Sequence, residues 1–172
     1  MESGRNAAAP PLACQDAVEP MPNFETVRHV NHSPERMFDL VADVERYPEF
    51  VPLCERLVVR QRRNDVDGRD VLVADLTAGY GPVRETFTSM VTLDRPALVI
   101  KVEYVDGPFR FLDNRWTFER RDDGGADVHF WISYEFRSRM LGALMGSMFD
   151  KAFRKFSEAF ESRADALYGR GA

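Results

Sequence analysis

The sequence predicts an α+β fold in which a curved antiparallel sheet wraps around one long C-terminal helix, with two short helices after the first strand. Three observations carry this. Residues 57–137 divide into six apolar or alternating segments separated by clusters of Gly, Pro, Asn and Asp. From residue 140 to about 167 the apolar positions switch to helical spacing. The length, 172 residues, suits one domain with a real core. A sheet of sequential strands and a helix with a broad apolar stripe each need a partner, and the simplest arrangement lets the sheet grip the helix.

The elements follow in order. Residues 1–20 read as an unstructured tail, and residues 21–170 as one domain. The tail segment Asn6–Pro11 has no amphipathic period, and it lacks the basic and apolar regions of a secretory signal. Phe24–Asn31 alternates as a first strand. Ser33-Pro34 is a helix start, with Ser at the N-cap and Pro at the first helical position. Met37, Phe38, Leu40 and Val41 give that helix one buried face. A second short helical piece, Asp43–Tyr47, is expected to stop before Pro48. Strands are expected at Leu57–Arg63, Asp70–Ala78, Val83–Leu93, Leu98–Val105, Phe111–Arg121 and Ala126–Arg137. Gly79–Pro82 is expected to break the chain, and Asp122–Gly125 to form a hairpin turn. The last helix, about 28 residues at about 1.5 Å each, is about 40 Å long.

Composition excludes several classes. With 23 Lys and Arg against 28 Asp and Glu, the net charge of −5 makes DNA a poor partner. Two cysteines, Cys14 and Cys54, exclude a disulfide framework and a four-cysteine metal site. No Gly-rich phosphate loop, HExxH, CxxC or nucleophile elbow is present, and no window of 18 residues is apolar and uncharged. Cys54 has no His near it in sequence to act as a base, so a catalytic thiol is not expected.

One count stands out: 13 Phe. Four of them, Phe149, Phe153, Phe156 and Phe160, lie on one face of the last helix with Met145, Met148 and Leu141. That stripe reads as core or as the wall of an apolar cavity. Ala152 and Ala159, small residues among large ones, would leave room for a ligand. Tyr47–Cys54, rich in aromatics and prolines, reads as a rigid apolar lid packed on the core or closing a cavity mouth. The loop Asp106–Phe111 carries Phe109 and Phe111, either tucked in or held out toward a membrane or partner. Asp75 and Glu85 straddle a hairpin and, if opposed and buried, would be a carboxylate pair; ordinary surface alternation is the plainer account. His129 is expected to face solvent. Gly142 and Gly146 permit close approach to the sheet or a loosened helix start whose Met140, Leu141 and Leu144 touch a bilayer.

Several segments resemble one family. They are Tyr47-Pro48-Glu49-Phe50-Val51-Pro52-Leu53-Cys54, Ala74–Gly81 with Glu85–Ser89, Gly107-Pro108-Phe109 with Leu112–Trp116 and Phe118, and Phe136-Arg137-Ser138. In order and spacing, over about residues 22–168, they resemble the coenzyme Q-binding branch of the START and polyketide-cyclase-like proteins, which has RatA-type bacterial relatives. Leu53 departs from the pattern, which has an aromatic there, usually Trp. The resemblance implies a START/Bet v1-like helix-grip fold with an apolar tunnel between sheet and C-terminal helix. It implies a non-catalytic lipid chaperone for respiration or quinone synthesis, with ubiquinone as bound ligand and no other cofactor or metal. On that reading the tunnel is lined by Phe87, Trp116, Phe118, Phe130, Ile132, Met145, Met148, Phe149, Ala152 and Phe156. Its lid and mouth are Tyr47, Phe50, Pro52, Phe109 and Leu141. The partner is a polyprenyl quinone or similar lipid, with transient contact to a membrane surface. The expected location is the cytoplasm, peripheral at the inner membrane, or the matrix side in a mitochondrion. Two alternatives stay open: a RatA-like toxin that blocks ribosomal subunit association, for which Arg56, Arg60, Arg62 and Arg63 offer a local basic patch, and a polyketide cyclase or aromatase.

Overall fold

The computed structural model describes residues 23–170, so the expected tail lies outside the described residues. Seven strands form one antiparallel sheet: β1 (Asn23–Val30), β2 (Cys54–Asn64), β3 (Asp70–Tyr80), β4 (Val83–Asp94), β5 (Val99–Asp106), β6 (Phe109–Arg120) and β7 (Ala126–Phe136). The order across the sheet is β1-β7-β6-β5-β4-β3-β2. Only β1 departs from a simple meander, because the two short helices carry the chain from one edge to the other. The last helix, α2 (Arg139–Tyr168), has 30 residues and lies against β1, β7 and α1 (Pro34–Ala42). This is the gripped-helix arrangement that the hydrophobic periods predict.

The caps explain the helix starts. The Ser33 hydroxyl accepts from Arg36 N–H at 3.3 Å, and Pro34 opens α1. Ser138 does the same for α2, accepting from Leu141 N–H at 3.2 Å. After α1, a 3-10 helix spans Val44–Glu49; it contains Pro48 and ends two residues beyond the expected stop at Tyr47. The N–H groups of Phe50 and Val51 both reach the carbonyl of Tyr47, so the chain folds back on Tyr47 and needs nothing from the missing N–H of Pro48.

Strand ends differ in both directions: β2 and β3 run past their expected bounds, while β1, β6 and β7 end one residue short and β5 starts one residue late. β2 begins at Cys54, three residues before the expected start, through a register shift between Cys54 and Arg56. β3 runs on through Gly79 and Tyr80, where a break was expected. Gly79 donates to the Leu53 carbonyl at 3.0 Å, and the Glu55 carboxylate lies where a Gly79 side chain would stand. Asp75 and Glu85 do not face each other. Asp75 pairs with Thr88 and Glu85 with Ala78. Asp75 accepts from Thr88 Oγ1 at 2.6 Å and meets Arg60 at 2.5 Å, which makes it a surface ion pair and not an acid–base dyad.

At the β5–β6 turn Gly107 has φ +139°, and a Cβ there would lie 2.7 Å from that of Phe87. The turn drives Phe109 inward, 1% exposed, against the rings of Phe87, Tyr104, Tyr134, Phe136 and Phe149. Of its two readings, the Phe109 ring takes the tucked one; Phe111 is half-buried. The glycines of α2 are not close-approach sites: a Cβ at Gly142 would meet Phe136 at an ordinary 3.8 Å, and one at Gly146 would meet nothing.

Candidate functional site

Between α2 and the inner face of the sheet lies a cavity of about 120 Å³. Every strand from β2 to β7 contributes to its wall. On the helix side stand Phe149, Phe153, Phe156 and Phe160, about one ring per turn of the same face. Trp116 closes the floor, at 4.6 Å from the Phe130 ring and 5.0 Å from Phe160. These edge-to-face contacts hold the aromatic wall rigid.

The room comes from the strands. Ala74 and Ala78 on β3 and Ser89 on β4 are buried and face the cavity. Large side chains there would close it. Ala152 is buried, 4% exposed, but lies off the cavity wall, and Ala159 is half-buried and also off it. The space therefore does not come from the helix alanines. The β3 row Ala74-x-Leu76-x-Ala78 carried the signal: an inward-facing row of period two in which two of the three residues are small.

Of the residues assigned to the tunnel, Phe87, Trp116, Phe130, Ile132, Phe149 and Phe156 stand on the cavity wall. Phe118, Met145, Met148 and Ala152 do not. Phe118 packs edge-on to Phe38 of α1 at 5.9 Å, and Met145 is core, 1% exposed. Met148 is half-buried one turn from the wall. Of the lid residues, Tyr47 and Pro52 reach the cavity, joined by Val51, Leu53 and Cys54. Phe50, Phe109 and Leu141 stand behind it. Leu53, the departure from the family pattern, takes a left-handed backbone, φ +65°, and still presents its side chain to the cavity. Holding a leucine in that region costs about 1–3 kcal/mol, a strain that the surrounding lid contacts must offset.

The lid is latched to α2. The Tyr47 hydroxyl donates to the Val41 carbonyl at 2.5 Å, and burial pushes its pKa far above the ordinary range. Tyr47 and Phe50 both meet the Phe160 ring edge-on, at 5.3 and 5.1 Å. Glu49 accepts from Arg163 at 2.5 Å, and that guanidinium lies 5.2 Å from the Phe50 ring centre. Hydrogen bonds from Arg46 first, then Arg163, hold the Glu49 carboxyl below its usual range. A lowered carboxylate pKa means the latch is intact above the ordinary range and is lost as pH falls through the lower value. Glu49→Ala is expected to speed ligand exchange several-fold at neutral pH; stopped-flow displacement measures it. Wild type is expected to approach that rate only in acid, below the ordinary carboxylate range.

Cys54 lines the cavity, and burial raises its thiol to about 11. At pH 8 only about one molecule in 1,000 carries a thiolate there. In a Cys14→Ser background, iodoacetamide is expected to label Cys54 hundreds of times more slowly than free cysteine. Rapid labelling at pH 8 would contradict this placement.

Among the described residues, the cavity wall carries no His, Asp, Glu, Lys or Arg. Among the described residues no group of His, Cys, Asp and Glu is arranged to hold a metal, and no helix is long and apolar enough to cross a membrane. His129 is partly exposed beside Glu119 at 3.6 Å.

Fold and cavity together define a class: a helix-grip protein with a partly open, mostly apolar site whose described lining residues carry no charge. Residues 30–161 match the family described as polyketide cyclase / dehydrase and lipid transport, and the chain belongs to it. The ribosome association toxin RatA of Vibrio cholerae is 34% identical over 140 residues, 81% of this chain and 93% of that protein. The mitochondrial coenzyme Q-binding protein COQ10 homolog B of Xenopus laevis is 31% identical over 169 residues, 96% of this chain and 65% of that protein. The solution structure of an 18 kDa protein from Caulobacter crescentus superposes with a TM-score of 0.72 at 32% identity, covering 87% of this chain and 99% of that one.

Proposed function

We propose that this protein is a non-catalytic carrier of a neutral polyprenyl lipid, ubiquinone being the ligand that fits best. The observation that carries the reading is the cavity: aromatic on the helix side, mixed aromatic and aliphatic on the sheet side, and without a charged group among its described lining residues. A carboxylate or phosphate placed there would stay unpaired at a cost of several kcal/mol, whereas a neutral ring gains about 2 kcal/mol by burial. A cavity near 120 Å³ suits a benzene-sized guest. One ring or one isoprenoid unit fills it, and the rest of the tail follows the half-buried rim at Leu57, Leu76 and Phe87. The likeness to the coenzyme Q-binding relative supports the same ligand. Solvent extraction of the purified protein, with quinone analysis of the extract, tests this. Neither co-purified lipid nor binding of added ubiquinone would end the reading.

Such a carrier loads at a membrane surface, in the cytoplasm or in the matrix. Met140 and Leu144 at the start of α2 are 73% and 59% exposed and lie beside Arg137 and Arg139. We expect Met140→Asp with Leu144→Asp to reduce co-sedimentation with anionic vesicles several-fold while leaving ubiquinone binding in detergent unchanged.

The second reading, action on ribosomal subunits, has the likeness to RatA in its favour. Its basic patch on edge strand β2 is partly neutralised: Arg60 pairs with Asp75, and Arg62 with Glu45 at 2.8 Å. Sucrose-gradient profiles on overexpression separate the two readings. A shift from 70S particles to free subunits supports the second, and unchanged profiles exclude it. A cyclase would need acid–base groups inside the cavity, and the polar side chains of the described wall are Ser89, Asn114, Cys54, Tyr47 and the Trp116 indole.

A further inference from the structure

The cavity wall is interrupted by polarity at two buried points on the sheet. Ser89 of β4 is 5% exposed and Asn114 of β6 is 7% exposed. Both side chains belong to the wall. The Ser89 hydroxyl makes no hydrogen bond to any described residue. The Asn114 amide donates to the Trp131 carbonyl at 2.8 Å, which fixes its orientation. A second N–H and a carbonyl oxygen remain on that amide.

A lone hydroxyl on an apolar wall is costly unless something accepts its proton. Alanine fills comparable places at 74 and 78 without that cost. Water is a poor answer, because an ordered buried water takes two to four polar partners and the surrounding wall is aliphatic and aromatic. A ligand oxygen would satisfy both groups. We infer that Ser89 and Asn114 are the head-group contacts of this cavity, each donating a hydrogen bond to a carbonyl or ether oxygen of an otherwise apolar, uncharged ligand. This rests on the carrier reading above and narrows it. The ligand class becomes a ring that bears oxygen acceptors, with plain hydrocarbons disfavoured for leaving both donors unpaired. In register, Asn114 faces Val102, which faces Val91, two residues from Ser89. The two donors therefore sit apart, across two strand spacings of about 4.8 Å each. They anchor different oxygens, or one ring and its substituent.

The test compares two matched ligands by titration calorimetry. Ubiquinone-1 carries the oxygenated ring and one isoprene unit; prenylbenzene carries ring and isoprene without oxygen. Wild type is expected to bind the quinone at least tenfold more tightly. Ser89→Ala is expected to weaken quinone binding about 3- to 10-fold and leave prenylbenzene unchanged. The infrared carbonyl band of bound ubiquinone-1 gives a second readout, with a downward shift expected in wild type that shrinks in Ser89→Ala. Binding of both ligands with an unshifted band, or with no effect of Ser89→Ala, overturns the head-group assignment and leaves the carrier reading standing. Binding of neither ligand overturns the carrier reading itself.

Discussion

Replacing Ala74 by Leu is expected to abolish ubiquinone binding while the protein stays folded. Ala74 is 3% exposed at the centre of β3 and faces the cavity. The substitution adds three carbons to a space of about 120 Å³. In an ordinary core such an insertion costs about 1–3 kcal/mol, because neighbours must move. Here the added carbons enter empty space and gain about 0.8 kcal/mol each by burial. The two effects nearly cancel, so the melting temperature is expected to move by no more than a few degrees. Ligand binding has no such compensation. The ring that would have occupied the space loses about 2 kcal/mol of burial and meets a steric block besides. Affinity is expected to fall at least about 100-fold. Calorimetry and thermal melting on the same preparation read both quantities. A tight-binding, fully stable Ala74→Leu protein would mean that the ligand does not enter between β3 and α2. Ala152→Leu is the matched control: it lies off the wall, so it is expected to cost stability and spare affinity.

That control marks where sequence reading ended. Hydrophobic period and capping chemistry made the architecture legible. Ser33-Pro34 and the alternation of β7 are local signals, and local structure obeys them. The helix half of the cavity was legible for the same reason, since Phe149, Phe156 and their neighbours repeat at helical spacing. The sheet half was not. Which inward residue meets the helix and which meets empty space depends on how far the sheet curves past α2, and no single strand records that. Met145 and Ala152 fall on the same apolar stripe as the cavity rings, yet they are buried as core away from the wall. Leu53 was identifiable as a departure, but its left-handed backbone follows from the bond between its carbonyl and Gly79, a contact 26 residues away in the chain. The latch between Glu49 and Arg163 joins residues 114 apart and leaves no trace in either segment.

Phe109→Ala is expected to be the most damaging single change to stability, by about 3–5 kcal/mol. Phe109 sits among five rings, those of Phe87, Tyr104, Tyr134, Phe136 and Phe149. It stacks on Phe136 at 4.7 Å and stands edge-on to Phe87 at 5.3 Å and to Tyr104 at 5.8 Å. Its backbone is fixed as well: its N–H donates to the Tyr104 hydroxyl at 3.2 Å, and its carbonyl accepts from Arg137 Nε at 2.8 Å. Those bonds keep the site from collapsing after the ring is removed, so the void persists and the cost lies toward the upper end. The void also has a direction. Phe87 and Phe149 touch Phe109 on one side and wall the ligand cavity on the other. Once Phe109 is gone, either ring can swing back and enlarge the cavity. Denaturant unfolding should therefore show the full loss in the empty protein and a smaller one with a saturating bulky quinone present, since ligand bound to the native state restores stability. Equal losses with and without ligand would show that the two spaces are sealed from each other, and that Phe109 is a core residue with no bearing on the cavity.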